Sequence, residues 1–148
     1  MDSSFYITCC SDSSAQYFPD NRIAHFSVQL PQQILLTEDS HFEVAVCEVF
    51  IPVCNSCPMP DSLSPVYLYS DIVKPQILSD TNVRLLRVLP PPLTTGHFIF
   101  SNLYYLPVGK RVIDSISFSF ATKTGARYPF PDASFQPSIA VLHFRKRL

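Results

Sequence analysis

Ser115-Ile116-Ser117-Phe118-Ser119-Phe120 decides the fold, because three apolar side chains alternate with three serines. Period-two alternation sends successive side chains to opposite faces of an extended chain. Ile116, Phe118 and Phe120 can then be buried against a second layer while the serines meet water. Working outward, Ala24, Phe26, Val28 and Leu30 alternate with His25, Ser27 and Gln29. Pro31 follows, and with no N–H to give to a ladder it marks the end of that strand. Phe42 to Ile51 is largely apolar on both faces and stops at Pro52, the pattern of a central strand. Phe5–Cys10, Val66–Asp71, Val83–Leu89, His97–Tyr104 and Ser138–Arg145 bring the total to about eight strands, the number a jelly roll uses. Turn-forming residues fill the gaps: Pro19-Asp20-Asn21, Pro90-Pro91-Pro92, Val108-Gly109-Lys110 and Thr124-Gly125-Ala126. The sequence therefore predicts an all-β protein, a single antiparallel jelly-roll β-sandwich of about eight strands. Its expected core is Phe26, Val28, Val44, Val46, Ile116, Phe118, Phe120, Leu142 and Phe144.

The chain of 148 residues has the length of one domain, and the reading takes 1–148 as one unit. The proline-rich gap from Pro52 to Pro65 has strand-like sequence on both sides and reads as a loop within it. With 47% hydrophobic and 16% charged residues there is ample material for a core. Fourteen prolines against three glycines leave few backbone cradles of the kind that hold nucleotide phosphates. Eleven Lys and Arg against twelve Asp and Glu give no broad cationic field, so nucleic-acid contact is not expected. No apolar run reaches the roughly 18 residues of a membrane span, and Met1-Asp2-Ser3-Ser4 lacks a basic leader, so neither membrane insertion nor export is expected. Five cysteines, an odd number, favour a reducing interior over a disulfide scaffold.

Motifs that carry chemistry are scarce. Cys54-Asn55-Ser56-Cys57 has the spacing of a metal or redox pair. A zinc site needs a second pair, however, and Cys9-Cys10, adjacent on a strand, point to opposite faces. His25, His41, His97 and His143 are scattered, and no serine or cysteine sits in a nucleophile turn. No catalytic, cofactor-binding or metal-binding residue is therefore assigned, and the chain is read as not an enzyme. Tyr17-Phe18-Pro19, running into Asp20, is an aromatic knot in a loop, either a plug over one end of the sandwich or a subunit contact. Pro129-Phe130-Pro131 is a second such loop and joins it as candidate interface. Arg145-Lys146-Arg147 ends the last strand, where its charges either contact phosphate or an acidic partner or keep an apolar strand from adding to neighbours. A weakly charged, apolar surface favours association.

Phe5-Tyr6-Ile7-Thr8, then Tyr17 to Asn21 leading into His25-Phe26-Ser27-Val28-Gln29-Leu30-Pro31, resembles the single jelly-roll minor capsid proteins, or pentons, of Polinton (Maverick) elements and related viruses. The similarity continues in order through Phe42 to Glu48, Val66 to Gln76, Leu85 to Val88, Tyr105 to Val108, Ile113 to Ile116 and Val141 to Arg145. It departs from Cys54 to Pro60. The resemblance implies a structural capsid protein without cofactor, forming homopentamers at the five-fold vertices of an icosahedral virion beside a double jelly-roll major capsid protein. Assembly would then occur inside the host cell, in cytoplasm or nucleus. The alternative is a host β-sandwich recognition module that binds a peptide or a carbohydrate.

Overall fold

The computed structural model describes residues 4–36, 41–52, 65–90, 96–130 and 136–147. Among them are eleven strands and no helix. β1 (Ser4–Cys10), β11 (Ile139–Lys146), β3 (Phe42–Phe50) and the edge pieces β8 (His97–Ile99) and β9 (Leu106–Pro107) form one antiparallel sheet, in the order β1-β11-β3-β8 with β9 also on β3. β2 (His25–Leu35), β10 (Val112–Ala121), β4 (Val66–Ser70) and β7 (Leu85–Leu89) form the second, in the order β2-β10-β4-β7. β5 (Gln76–Leu78) and β6 (Thr81–Val83) pair only with each other, a hairpin in the connection from β4 to β7. Neighbours in each sheet are distant in sequence, as in the double Greek key of a jelly roll.

The core follows the alternation. Ile116, Phe118 and Phe120 are buried from β10, Phe26 and Val28 from β2, Val44 and Val46 from β3, and Leu142 and Phe144 from β11. Phe26 and Phe118 face each other in register and stack at 5.1 Å. The serines of β10 lie on the wetter outer face, where Ser117 and Ser27 share a 2.6 Å hydroxyl hydrogen bond.

The expected count of about eight changes for identifiable reasons. β8 and β9 occupy two parts of one edge position: Phe98 pairs with Val49, the Phe100 N–H still donates to the Cys47 carbonyl, and Leu106 rejoins opposite Val44. The chain leaves the edge between them, so the expected strand His97–Tyr104 ends early. Of the hairpin only Val83 belongs to an expected strand, Val83–Leu89, which breaks at Arg84 into the end of β6 and the whole of β7. Pro31 does not end β2. It sits where the register with β10 jumps, between the Ser115–Gln29 and Ile113–Ile34 pairs, and β2 continues to Leu35. A bulge on an edge strand accommodates the missing N–H.

The open edge of β2 is covered by the loop that precedes it. Asn21 accepts from the Ser27 N–H through Oδ1 (2.9 Å) and donates to the Ser27 carbonyl through Nδ2 (2.8 Å), as a neighbouring strand would. Ser14 Oγ accepts from the Gln29 N–H at 3.0 Å. These contacts block further strand addition. Asn21→Ala is expected to cost about 1–2 kcal/mol and to speed amide exchange at Ser27. Unchanged exchange there would show that the loop does not hold the edge.

Candidate functional site

The candidate interface loops lie at the end of the sandwich where β1 passes to β2 and β10 to β11. A one-turn structure positions the first: the Tyr17 and Phe18 N–H groups both donate to the Ser14 carbonyl, and the Asn21 N–H to that of Phe18. Tyr17 is 61% exposed, Phe18 half-buried, and Pro19 and Asp20 exposed. In the second loop Pro129 is exposed, whereas Phe130 is buried edge-on against Phe120 at 5.6 Å and beside Tyr128 at 4.9 Å. Phe130 is thus core packing in this chain, because the apolar end of β10 needs a lid. Pro131 lies outside the described residues. The two loops share a hollow of about 640 Å³ whose lining includes Asn21, Arg22, Pro129 and Phe130. Tyr17 and Phe18 do not line it. A buried network ties the loops to β11: the Ser11 N–H donates to the Ser138 carbonyl (2.9 Å), Ser138 N–H to Ser11 Oγ (3.0 Å), and Ser138 Oγ to the Ile23 carbonyl (2.8 Å).

The three terminal cations do not behave as one tail. β11 lies between β1 and β3, so its charges guard no sheet edge. Arg145 Nε instead donates to Glu43 Oε1 at 2.6 Å, and its guanidinium lies 3.4 Å from the centre of the Tyr105 ring. Arg147 donates its backbone N–H to the His41 carbonyl, and Lys146 closes β11 opposite Phe42.

Arg145 belongs to an aromatic cluster on the outer face of the first sheet, which alternation alone did not single out. The rings of Tyr6 and His143 are 4.5 Å apart, and Tyr105 meets His143 edge-on at 5.8 Å. With the imidazole neutral, the Tyr105 hydroxyl donates to His143 Nδ1 at 2.6 Å. Farther along, His97 stacks on Phe50 at 4.0 Å and its Nε2 is 2.6 Å from Glu48. Exposed Tyr6 and Ile99 add apolar area. Burial, with the Arg145 charge second, holds His143 below its ordinary value of 6.5. The unfolded chain therefore binds more protons than the folded one below about pH 6.5. The stability this neutral ring contributes is complete above about pH 6.5 and is lost as pH falls through it towards the lower folded-state value. His143→Gln is expected to flatten the dependence of Tm on pH between about 7.5 and 5; superimposable curves would show that the ring is not sensed.

Neither thiol chemistry nor a metal site emerges among the described residues. Cys54 and Cys57 lie outside them. Cys9 is buried, its thiol pushed up to about 12 by burial, while Cys10 turns to the other face. No group of three or more His, Cys, Asp or Glu comes together among the described residues. No helix among them is long and apolar enough to cross a membrane.

Structural comparison finds the same arrangement in the crystal structure of the selenomethionine-labelled mavirus penton protein, with a TM-score of 0.63. The chain has the fold of the mavirus penton protein. The match covers 97% of this chain and 100% of the mavirus penton protein, at 9% sequence identity. No protein-family model matches the sequence, and no curated protein does. At 9% identity the likeness to the mavirus penton protein lies in strand order and packing.

Proposed function

We propose that this chain is a penton: residues 1–148 act as one jelly-roll capsid domain that forms homopentamers and closes the five-fold vertices of an icosahedral virion. The supporting observation is the end-to-end likeness to the mavirus penton protein, which leaves almost no part of either chain unmatched. The order of the sequence resemblance agrees with it. A ring that closes after five copies needs head-to-tail contacts, hence two different complementary patches on each subunit. The two outer faces are different surfaces: one carries Tyr6, Tyr105, His143 and Phe50, the other Ser27, Ser115, Ser117 and Ser119 beside Tyr67 and Tyr69. Tyr17, Phe18, Pro19, Asp20 and Pro129 lie at the loop end, available to a neighbouring subunit or to the double jelly-roll major capsid protein. The chain works by geometry and burial, without catalysis or cofactor, and assembles inside the host cell.

Co-expression with the matching major capsid protein is the test. The expected result is particles with this chain at every vertex and a pentamer by native mass spectrometry of released capsomers. Particles that fill their vertices without it would refute the penton reading. A monomer that stays outside particles and takes up peptide or sugar in the hollow of about 640 Å³ would replace it with the recognition-module reading.

A further inference from the structure

The opposite end of the sandwich, which carries both Ser4 and Arg147, gathers cations that the sequence scatters. Lys74, Lys110, Arg111 and Arg147 line a hollow of about 310 Å³ together with His41 and one carboxylate, Glu43. That carboxylate is already engaged by Arg145 at 2.6 Å. Lys110 is held by Asp71 at 2.7 Å. Lys74 and Arg147 make no ion pair among the described residues. The lining is therefore net cationic in a protein whose formal charge is −1.

The backbone around the hollow is committed within the chain. The Lys74 N–H donates to the Pro107 carbonyl, Val108 to Phe42, Gly109 to Ile72, Leu36 to Arg111, and Arg147 to His41. A peptide that binds by strand addition needs main-chain hydrogen bonds at a free edge, and these groups are already used. Cationic side chains remain, and they suit a polymer that presents charge at short, regular intervals without needing a ladder.

We propose that this end of the sandwich binds the phosphate backbone of nucleic acid. This rests on the penton reading, under which an end that binds nucleic acid would face the interior of the shell. In a pentamer five such ends lie around one axis, so weak contacts per chain act together on one polyanion.

Fluorescence anisotropy with a labelled oligothymidylate of about 30 nucleotides tests the binding without any capsid, over about 50–200 mM NaCl. About two phosphate contacts, from Lys74 and Arg147, give a slope near −1.4 for log Kobs against log salt on a single strand. Lys74→Gln with Arg147→Gln is expected to weaken binding about tenfold or more and to flatten the slope by about 1.4. Arg22→Gln with Arg127→Gln, the same charge change at the other end, is expected to leave both within about twofold. All these side chains belong to exposed residues, and unchanged thermal unfolding confirms intact folding. Equal losses in the two double variants, or no binding at the lowest salt, overturn the proposal. Polyglutamate bound as tightly, with the same loss in the Lys74 and Arg147 variant, assigns the surface to an acidic protein instead. Glu38 and Asp39 separate Leu36 from His41 in sequence, and binding that emerges only in Glu38→Gln with Asp39→Asn also overturns it. The interior placement is read separately: particles carrying the Lys74 and Arg147 variant at full vertex occupancy are expected to hold less DNA, and an unchanged DNA content refutes that placement.

Discussion

Phe118→Ala is expected to destabilise the folded chain by about 3–5 kcal/mol, read from the urea midpoint at constant m. The side chain is 1% exposed and lies in β10, which has β2 on one side and β4 on the other. Its ring stacks on Phe26 at 5.1 Å, and its opposite partner in β4 is Ser70. A serine cannot move in to refill the space, so truncation leaves a cavity between the layers and adds that cost to the lost transfer free energy. Domains are commonly stable by only about 5–15 kcal/mol, so the loss would take a large share of the total. Phe118→Leu keeps most of the volume and is expected to cost less. A change within about 0.5 kcal/mol in the alanine variant, as at exposed positions, would mean that the β10 register is reversed.

The same residue shows why so much of the fold is legible in the sequence. Alternation assigns a face to each side chain, and every expected core residue, from Phe26 to Phe144, is buried. Edges and ends are less legible, because they depend on which chain lies alongside. Pro31 reads as a strand stop, but on an edge strand with a bulge its missing N–H costs little, and β2 runs on. Arg145 reads as the start of a charged tail, yet the central position of β11 gives it Glu43 and Tyr105. Phe130, flanked by prolines, reads as part of a turn and a candidate interface, and in the structure it caps the apolar end of β10. The cations of the opposite end illustrate the limit most clearly. Lys74 and Lys110 are 36 positions apart in sequence, and backbone bonds from Gly109 to the Ile72 carbonyl and from Lys74 to the Pro107 carbonyl, with the Val73–Val108 bridge, bring their segments together. Nothing in periodicity, composition or spacing encodes that meeting.

Replacing Arg87 is the other change with a large expected effect. Its side chain bridges the two sheets along the side where β7 meets the chain between β8 and β9. The guanidinium carbon lies 4.1 Å from the centre of the Phe100 ring and 3.9 Å from that of Tyr104, and Nη1 donates to the Asn102 carbonyl at 2.8 Å. Burial lowers the pKa of the group, yet an arginine remains charged at any working pH. The charge is therefore held by two ring faces and a carbonyl, and residues 101–104 belong to no strand. Arg87→Ala loses both ring contacts and a charge-assisted hydrogen bond, and is expected to cost about 2–4 kcal/mol. Arg87→Lys retains the charge but not the planar surface that two rings can sandwich, so it is expected to recover less than half of that. Amide exchange should rise across residues 100–105 in both variants and stay unchanged at Val44 and Leu142, deep in the core. Full recovery by lysine would show that charge alone holds the segment. A uniform rise in exchange would instead make Arg87 an ordinary contributor to global stability with no special hold on this side of the sandwich.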